Sequence, residues 1–529
     1  MAESLRGLTR NPMHENQNAV LRQLCSSSAY PHETDAIRRI ETHISWVYLT
    51  GPFAYKIKKS IKLPYLDFST LERRERACRD ELTLNRRLAP GLYHEVVTIG
   101  GDETELRVGS TPAVEFAVKI SQFPDGAIAD QLIRDDALNA AELVELAEQI
   151  AAFHRKHSPS SSSAPGKRIL DNLAELYSAV SPDRHSLVGE IEDWVKTALD
   201  RISDVFTDRE KSGHVRECHG DLHLGNIVRI DGRLIAFDCL EFSVDLRTID
   251  VIDEVAFLYM DLIAHGRHDL AFTFLNRYLE LTGDYAGLSL LRVYATHRAL
   301  VRAKVLIEGH SQSNVAAPDL ATLYLKTAQA QTWPRRPRCV ITSGLSGSGK
   351  TTIASQLIAS LRAVHIRSDV ERKRLHGLQA MAQSDSEVKG GLYHPDITAA
   401  TYRHLAALTE AALEGGVDII IDASFIKRHF RELFHAAAAR HNADFVILSC
   451  EAPTNLLRTR VTERARQKSD ASEANIAVLD HQLEVAETFS AEEMAYVLPV
   501  DTADDIDIDQ LARNIRELSD QVSLSSTSS

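Results

Sequence analysis

Two short segments hold residue types whose spacing suits joint chemistry. The first is His219-Gly220-Asp221-Leu222-His223-Leu224-Gly225-Asn226. An aspartate followed five positions later by an asparagine is the spacing of a kinase catalytic loop. There the carboxylate receives a hydroxyl proton and the carboxamide holds Mg²⁺. The second is Gly344-Leu345-Ser346-Gly347-Ser348-Gly349-Lys350-Thr351, which fits the phosphate-binding pattern G-x-x-x-x-G-K-[ST]. Both point to phosphate chemistry, and they lie far apart in the chain.

The residues after the first segment predict where its third member lies. Ile227 to Ile230 and Arg233 to Ala236 flank Asp231-Gly232, a favoured two-residue hairpin turn. Pairing outward sets Ile230 opposite Arg233 and Ile227 opposite Ala236. One step further sets Asn226 opposite Phe237 and Gly225 opposite Asp238. The hairpin thus returns Asp238 to the loop, where Asn226 and Asp238 share Mg²⁺ and Asp221 is the base. Such a site needs a lysine on an earlier strand and a helical glutamate to orient it. Phe53-Ala54-Tyr55-Lys56 resembles the V-A-I-K strand, so Lys56 is the candidate. Lys58 shares its strand face and is the alternative, and a charged strand edge competes for both. The helix-like stretch Leu71 to Leu88 offers Glu72, Glu75 and Glu81, of which Glu81 is preferred. Glu241 supplies a further carboxylate toward metal or substrate, or caps local structure. Arg298, Arg302 and Lys304 lie on a late helix, where a solvated face or domain contact is preferred over an anionic acceptor.

The second segment follows the apolar strand Cys339 to Thr342 and opens a helix-like stretch, Thr352 to Leu361. Gly344, Gly347 and Gly349, with Ser348 and Thr352 alongside, let backbone N–H groups turn inward around phosphates. The helix N-terminus adds a positive dipole end. Lys350 neutralises the β/γ-phosphates and the Thr351 hydroxyl holds Mg²⁺. In an open α/β sheet, ligands sit beyond the carboxyl ends of the strands. Asp422 lies at such an end and reads as the acid that orients Mg²⁺ through water. Asp369 lies at another and reads equally as a base toward an acceptor hydroxyl or as a helix N-cap. Arg460 and Arg464 share a helix face at i, i+4 spacing and suit a lid over transferring phosphoryl charge. Arg458 and Arg466 read as a solvated face.

Around these segments the chain has three rhythms. Residues 1–124 hold strand-like runs and one helix-like stretch. Residues 125–330 are mostly helical and contain the catalytic loop. The proline- and arginine-rich stretch 331–338 reads as a linker. From 339 to 521 strands and helices alternate, the signature of a parallel α/β sheet. Ser158 to Gly166 reads as a mobile loop, Asn314 to Asp319 as a weaker break and 522–529 as a disordered tail. The 529 residues fit about three compact units. The net charge of −14 argues against nucleic acid or anionic membrane as a partner, without excluding a local basic cleft. No run is long and apolar enough to span a bilayer. The six cysteines are scattered, which fits reduced thiols in the cytoplasm.

The segments GLSGSGKTT, IRSDVERKRLHG, DIIIDASF and LRTRVTERARQKSDAS resemble the small P-loop kinases that include gluconate, polynucleotide and zeta-toxin kinases. That resemblance implies that Asp369 binds or deprotonates the acceptor and that Arg460 and Arg464 lie in the lid. HGDLHLGN and the following Phe237-Asp238 resemble the aminoglycoside-phosphotransferase-like branch of the protein-kinase fold, while YKIKK, YLDFSTLERR, LNRRLAPGLY and IDVIDEVAFL carry the resemblance of the whole chain. The whole chain is similar to the bacterial two-part proteins described as bifunctional aminoglycoside phosphotransferase/ATP-binding proteins. This implies an α+β bilobal kinase-like domain fused to an α/β P-loop kinase domain. It also implies that Asp253 anchors the catalytic region through backbone hydrogen bonds. The chain departs from the kinase pattern in having no glycine-rich loop before Lys56, and in reading Cys-Leu-Glu after Asp238. The expected activity is phosphoryl transfer from ATP, with Mg²⁺, to small-molecule hydroxyls at two sites. The alternatives are a polynucleotide 5′-hydroxyl kinase, or a kinase regulated by a nucleotide-sensing unit. The acceptors and the oligomeric state stay open.

Overall fold

The computed structural model describes residues 12–526 apart from 64–65, 102–104, 162–163, 311–317, 381, 383–393, 468–470 and 473. Parts of the expected loop at 158–166 and break at 314–319, and residues 527–529 of the tail, lie outside the described residues. A helix, Ile508–Ser526, occupies the first five residues of the stretch read as tail. Among the described residues no helix is long and apolar enough to cross a membrane.

The chain forms two compact units. The first comprises Met1–Val180, Ser203–Asp261 and Arg302–Ala321, and the second Ser181–Ile202, Leu262–Val301 and Thr322–Ser529. Residues 181–202, 262–301 and 322–330, which the sequence groups with the catalytic loop, therefore cluster with the P-loop.

A six-stranded antiparallel sheet organises the first unit. Its order is Arg38–Glu41, Ser45–Leu49, Phe53–Lys58, Ala113–Ser121, Tyr93–Gly101, Leu106–Val108. Side chains alternate across a strand. Tyr55 and Ile57 enter a core with Trp46, Tyr48 and Ile99 on one face. Ala54 packs on the other with Cys78, Phe116 and Val118. Lys56 and Lys58 share the parity of Ala54, so both ammonium groups reach the face covered by the helix Leu71–Asn85. Thr70 caps that helix by accepting the Arg73 N–H at 3.3 Å. The helix buries Arg74, Ala77, Cys78, Glu81, Leu84 and Asn85, a stripe at i, i+3/i+4 spacing. Further on, the strands Val215–Glu217 and Thr248–Asp250 pair antiparallel and frame the catalytic loop.

The second unit is built on a parallel sheet ordered Ala363–Arg367, Asp418–Asp422, Arg338–Ser343, Asp444–Glu451, Val497–Asp501. Its core joins Val340, Ile420, Val446 and Leu448 to Ile353 and Leu357 of the helix Lys350–Leu361 and to Ile515 of the last helix. The strand Ala363–Arg367 is an edge, and the helix His268–Thr282 covers it. Asn276 of that helix donates to the Ala363 carbonyl at 3.0 Å and accepts the His365 N–H at 2.6 Å. One side chain thus mimics a neighbouring strand and satisfies an edge that would otherwise be exposed. The proline–arginine stretch is tied to the start of the sheet. Arg335 and Arg338 each lie 3.0 Å from Asp418, and Arg336 lies 2.7 Å from Asp444.

Candidate active sites

In the first unit the hairpin has the register read from its turn. Ile230 pairs with Arg233 and Ile227 with Ala236, and the Phe237 N–H donates to the Asn226 carbonyl at 2.9 Å. Asp231 and Gly232 both take positive φ, 48° and 77°, as a type I′ turn requires. The hairpin delivers Asp238 in the left-handed region, at φ 61°, with its N–H donating to the Tyr93 hydroxyl at 3.1 Å. Backbone strain of this kind concentrates at functional sites.

Asp221 and Asn226 meet directly. The Asn226 amide donates to the Asp221 carboxylate at 2.8 Å and to its carbonyl at 3.0 Å. His219 fixes the loop from beneath: its Nδ1 accepts the Asp221 N–H at 3.3 Å and its Nε2 lies 2.9 Å from the Phe237 carbonyl. Burial lowers the His219 imidazole, against the pull of Glu254 and Asp221, which suits a neutral ring in this role. His223 Nε2 lies 3.4 Å from the Asp221 carboxylate and 3.1 Å from Arg302 Nη1. Burial raises the Asp221 carboxyl, but His223 and Arg302 outweigh it and hold the group well below the usual carboxylate range.

Lys56, Lys58, Glu81, Asp238 and Glu241 form a chain of charges. Lys56 Nζ contacts Asp238 and lies 2.9 Å from Glu81 Oε1. Lys58 Nζ contacts Glu241 and lies 2.6 Å from Glu81 Oε2. Both lysines are therefore buried and paired, not a charged strand edge. Lys56 is the one beside Asp238. Burial works against the charge on both, yet Asp238 and Glu81 raise Lys56, and Glu241 and Glu81 raise Lys58. Burial and the Glu81 charge push Glu241 up against the pull of Lys58. With an ammonium in contact, the ion pair is the state this geometry describes. Glu241 thus pairs with a lysine instead of capping local structure.

The loop is anchored by Glu254, the neighbour of the expected anchor Asp253, and by Asp261. Glu254 accepts the His219 N–H at 3.0 Å and the Gly220 N–H at 2.7 Å, and contacts His154 Nε2 at 3.0 Å. Asp261 accepts the Leu224 N–H at 2.8 Å. Asp253, the expected anchor, lies 3.9 Å from Arg168. In a helix, residues one apart point in different directions, and only the packed fold decides which carboxylate meets the loop.

In the second unit the segment Gly344–Gly349 joins the strand Arg338–Ser343 to the helix Lys350–Leu361. Gly344, Gly347 and Gly349 all have positive φ, 150°, 85° and 81°. A Cβ on Gly347 would lie 2.7 Å from the Leu457 carbonyl, so the tight cradle requires glycine there. Lys350 Nζ donates to the Leu345 carbonyl at 2.7 Å, across the loop. Burial lowers its ammonium against the pull of Asp422. Ser348 is buried in the same loop, and Thr352 follows Thr351 on the helix. Thr351 stands near enough to Asp422, which ends the neighbouring strand, to lower its carboxyl, and His365 Nε2 lies 3.6 Å from the same carboxylate. Burial raises Asp422, but His365, Thr351 and Lys350 hold it below the ordinary value.

Asp369 is not an N-cap: the helix Ser368–Leu375 is capped at Arg367, and Asp369 sits in its first turn with Arg372 Nη1 at 2.8 Å. The two arginines of the helix Thr454–Gln467 have separate partners. Arg460 donates to Thr502 Oγ1 at 3.0 Å and to its carbonyl at 2.6 Å, with the Gly347 carbonyl at 3.4 Å. Arg464 is near enough to Lys350 to lower its ammonium. Gln482, which sequence reasoning did not single out, accepts the Ser346 N–H at 2.8 Å. Arg302, for which the sequence favours a solvated face or domain contact over an anionic acceptor, lies 3.1 Å from His223, and His365 is a site neighbour that the sequence did not single out. A lone arginine or histidine on a helix or edge strand carries no spacing signal.

A family profile described as an AAA domain matches residues 339–489. A protein of Mycobacterium tuberculosis described as uncharacterised is 30% identical over 447 residues, 83% of this chain and 88% of that protein. Among solved structures, a choline/ethanolamine kinase family protein from Mesorhizobium loti covers 61% of this chain and 96% of its own, at 14% identity and a TM-score of 0.38. A gluconokinase from Sinorhizobium meliloti covers 36% of this chain and 99% of its own, at 21% identity and a TM-score of 0.25.

Proposed function

We propose that this chain, which belongs to the bacterial family of fused aminoglycoside-phosphotransferase-like and P-loop ATP-binding proteins, is an ATP-dependent phosphotransferase with two kinase-type sites acting on small-molecule hydroxyls. The observation that carries this reading is the convergence of Asp221, Asn226, Asp238, Lys56 and Glu81 in one unit. These residues come from a loop, a hairpin end, a strand and a helix, and a merely structural cluster has no need of all five.

At the first site Asp221 orients the acceptor hydroxyl and takes its proton. A carboxyl held this low is a weak base, so the proton transfers late, as a loose phosphoryl transition state allows. Lys56, oriented by Glu81, holds the nucleotide phosphates. The Asn226 and Asp238 oxygens are a hard donor set suited to Mg²⁺. The Asn226 amide nitrogen is occupied by Asp221, which leaves its carbonyl oxygen for a cation. A bound Mg²⁺ would supply charge neutralisation between phosphates.

At the second site the Gly344–Gly349 backbone and Lys350 cradle phosphates, and Thr351 with Asp422 would hold Mg²⁺. Asp369 receives the acceptor hydroxyl. Arg464 covers the phosphates, and Arg460 ties the lid helix to the P-loop through Thr502. The proposal includes a cytoplasmic location, where ATP is available and unpaired thiols persist.

The test is a phosphorylation screen of a metabolite pool with labelled ATP and mass spectrometry, using Asp221→Asn and Lys350→Ala as controls. Each variant should abolish a different set of products. If Asp221→Asn leaves every product intact, the first site is not an enzyme. If Lys350→Ala alters only the rate of the first site, the second unit is a regulator.

A further inference from the structure

In the first site Asp221 is bonded to Asn226, and Lys56 is in contact with Asp238. The loop between Asp221 and Asn226 reads Leu-His-Leu-Gly and contains no permanently charged cation of its own. Charge building on a phosphoryl group in flight needs one close to the acceptor side. Arg302 is placed there by the fold. It comes from the helix Leu288–His310, 79 positions after His223, and its Nη1 lies 3.1 Å from His223 Nε2. The same ring nitrogen lies 3.4 Å from the Asp221 carboxylate, which is 37% exposed. The guanidinium therefore borders the opening in which Asp221 meets its acceptor. His223 is itself held in place, since its Nδ1 accepts the Gly225 N–H at 3.0 Å.

We propose that Arg302 is a catalytic residue of the first site, with its guanidinium bonded to the transferring phosphoryl group. The proposal rests on the kinase reading of that site. In the step, the acceptor oxygen forms a bond to the γ-phosphorus while its proton passes to Asp221. The bond from the γ-phosphorus to the β,γ-bridging oxygen breaks, and its electron pair stays on ADP. Arg302 donates hydrogen bonds to the equatorial oxygens as the transition state forms and changes neither its proton count nor its covalent bonds. The held charge on Asp221 agrees with a guanidinium nearby.

The experiment uses the full chain carrying Lys350→Ala, which silences the P-loop site, and follows hydrolysis of labelled ATP with water as acceptor. Asp221→Asn, Arg302→Gln, Arg302→Lys and Arg302→Ala are compared in that background. Arg302→Gln should lower kcat at least about tenfold while KM for ATP stays within about threefold, because the contact forms in the transition state. Arg302→Lys should recover only part of the rate, since an ammonium cannot make the paired contact. Added guanidinium should restore Arg302→Ala, a rescue that a packing role would not produce. If Asp221→Asn lowers kcat while Arg302→Gln keeps it within about twofold of the background and guanidinium has no effect on Arg302→Ala, the proposal is wrong and the site reading stands. If Asp221→Asn also leaves hydrolysis unchanged, the site reading itself falls, and the proposal with it.

Discussion

Lys58 and Glu241 form an ion pair with side chains 0% and 3% exposed, behind the Lys56–Asp238 contact. Glu81 joins the two pairs, giving one oxygen to each lysine. The pair gives Glu81 a second cation, so its carboxylate would keep a partner if Lys56 turned to a phosphate, as the proposed function requires. Removing one partner of a buried pair leaves an uncompensated charge, whereas removing both does not. Lys58→Met should therefore destabilise the first unit by about 3–5 kcal/mol, and Lys58→Met/Glu241→Met should recover most of that loss. Chemical denaturation of the three proteins checks this. Lys56→Met should instead remove ATP turnover with a smaller change in stability, since its partner Asp238 is partly exposed.

Glu254 ties the backbone of His219 and Gly220 to His154. Burial raises its carboxyl, but His154 and the backbone N–H donors win and bring it down to about 2. A carboxyl depressed on folding contributes stability above its unfolded value, and that contribution is lost as pH falls through the folded value. The first unit should lose stability between about pH 4.5 and pH 2 for this reason. Glu254→Gln should be less stable at pH 7 and flatter across that window. Urea melts at pH 7, 4 and 3 read the difference.

Asn276 satisfies both backbone groups of the edge strand through one side chain. The same strand carries His365 to Asp422. Asn276→Leu keeps the branched heavy-atom shape and strands a buried carbonyl and N–H, at a cost of about 1–3 kcal/mol for each. The second unit should melt earlier, and nucleotide binding at the P-loop should weaken as His365 shifts. Calorimetric titration with ATP, beside a thermal melt, checks both.

Gly347 has φ 85° and would place a Cβ 2.7 Å from the Leu457 carbonyl. Gly347→Ala must therefore distort the cradle or move the helix that carries Arg460. Nucleotide affinity at the second site should fall by at least about tenfold, or about 1.4 kcal/mol. Activity dependent on Asp221 should persist. A fluorescent nucleotide titration in a Lys56→Met background isolates the effect.

Much of both sites was legible because local rules decide it. The Asp231-Gly232 turn sets the hairpin register by twist alone, and that register returns Asp238 to Asn226. The P-loop reads directly because its glycines answer to backbone geometry within eight residues. Lys56 and Lys58 could be placed on one face by the period of a strand, yet the sequence left open which of them meets Asp238. Asp369 read equally as cap or base, because a helix start shifts by one residue without changing the composition around it.

Alone, the sequence determined the two motifs, the hairpin that completes the first and the strand–helix alternation around the second. Each depends on contacts between residues near one another in the chain. The tertiary structure alone decided that Glu81 serves two lysines, that Glu254 holds the backbone of His219 and Gly220, that Arg302 stands beside His223, and that Asn276 closes the edge of the parallel sheet. Those pairings join distant segments, and their partners are chosen by helix rotation and packing, for which no spacing in the chain carries a signal.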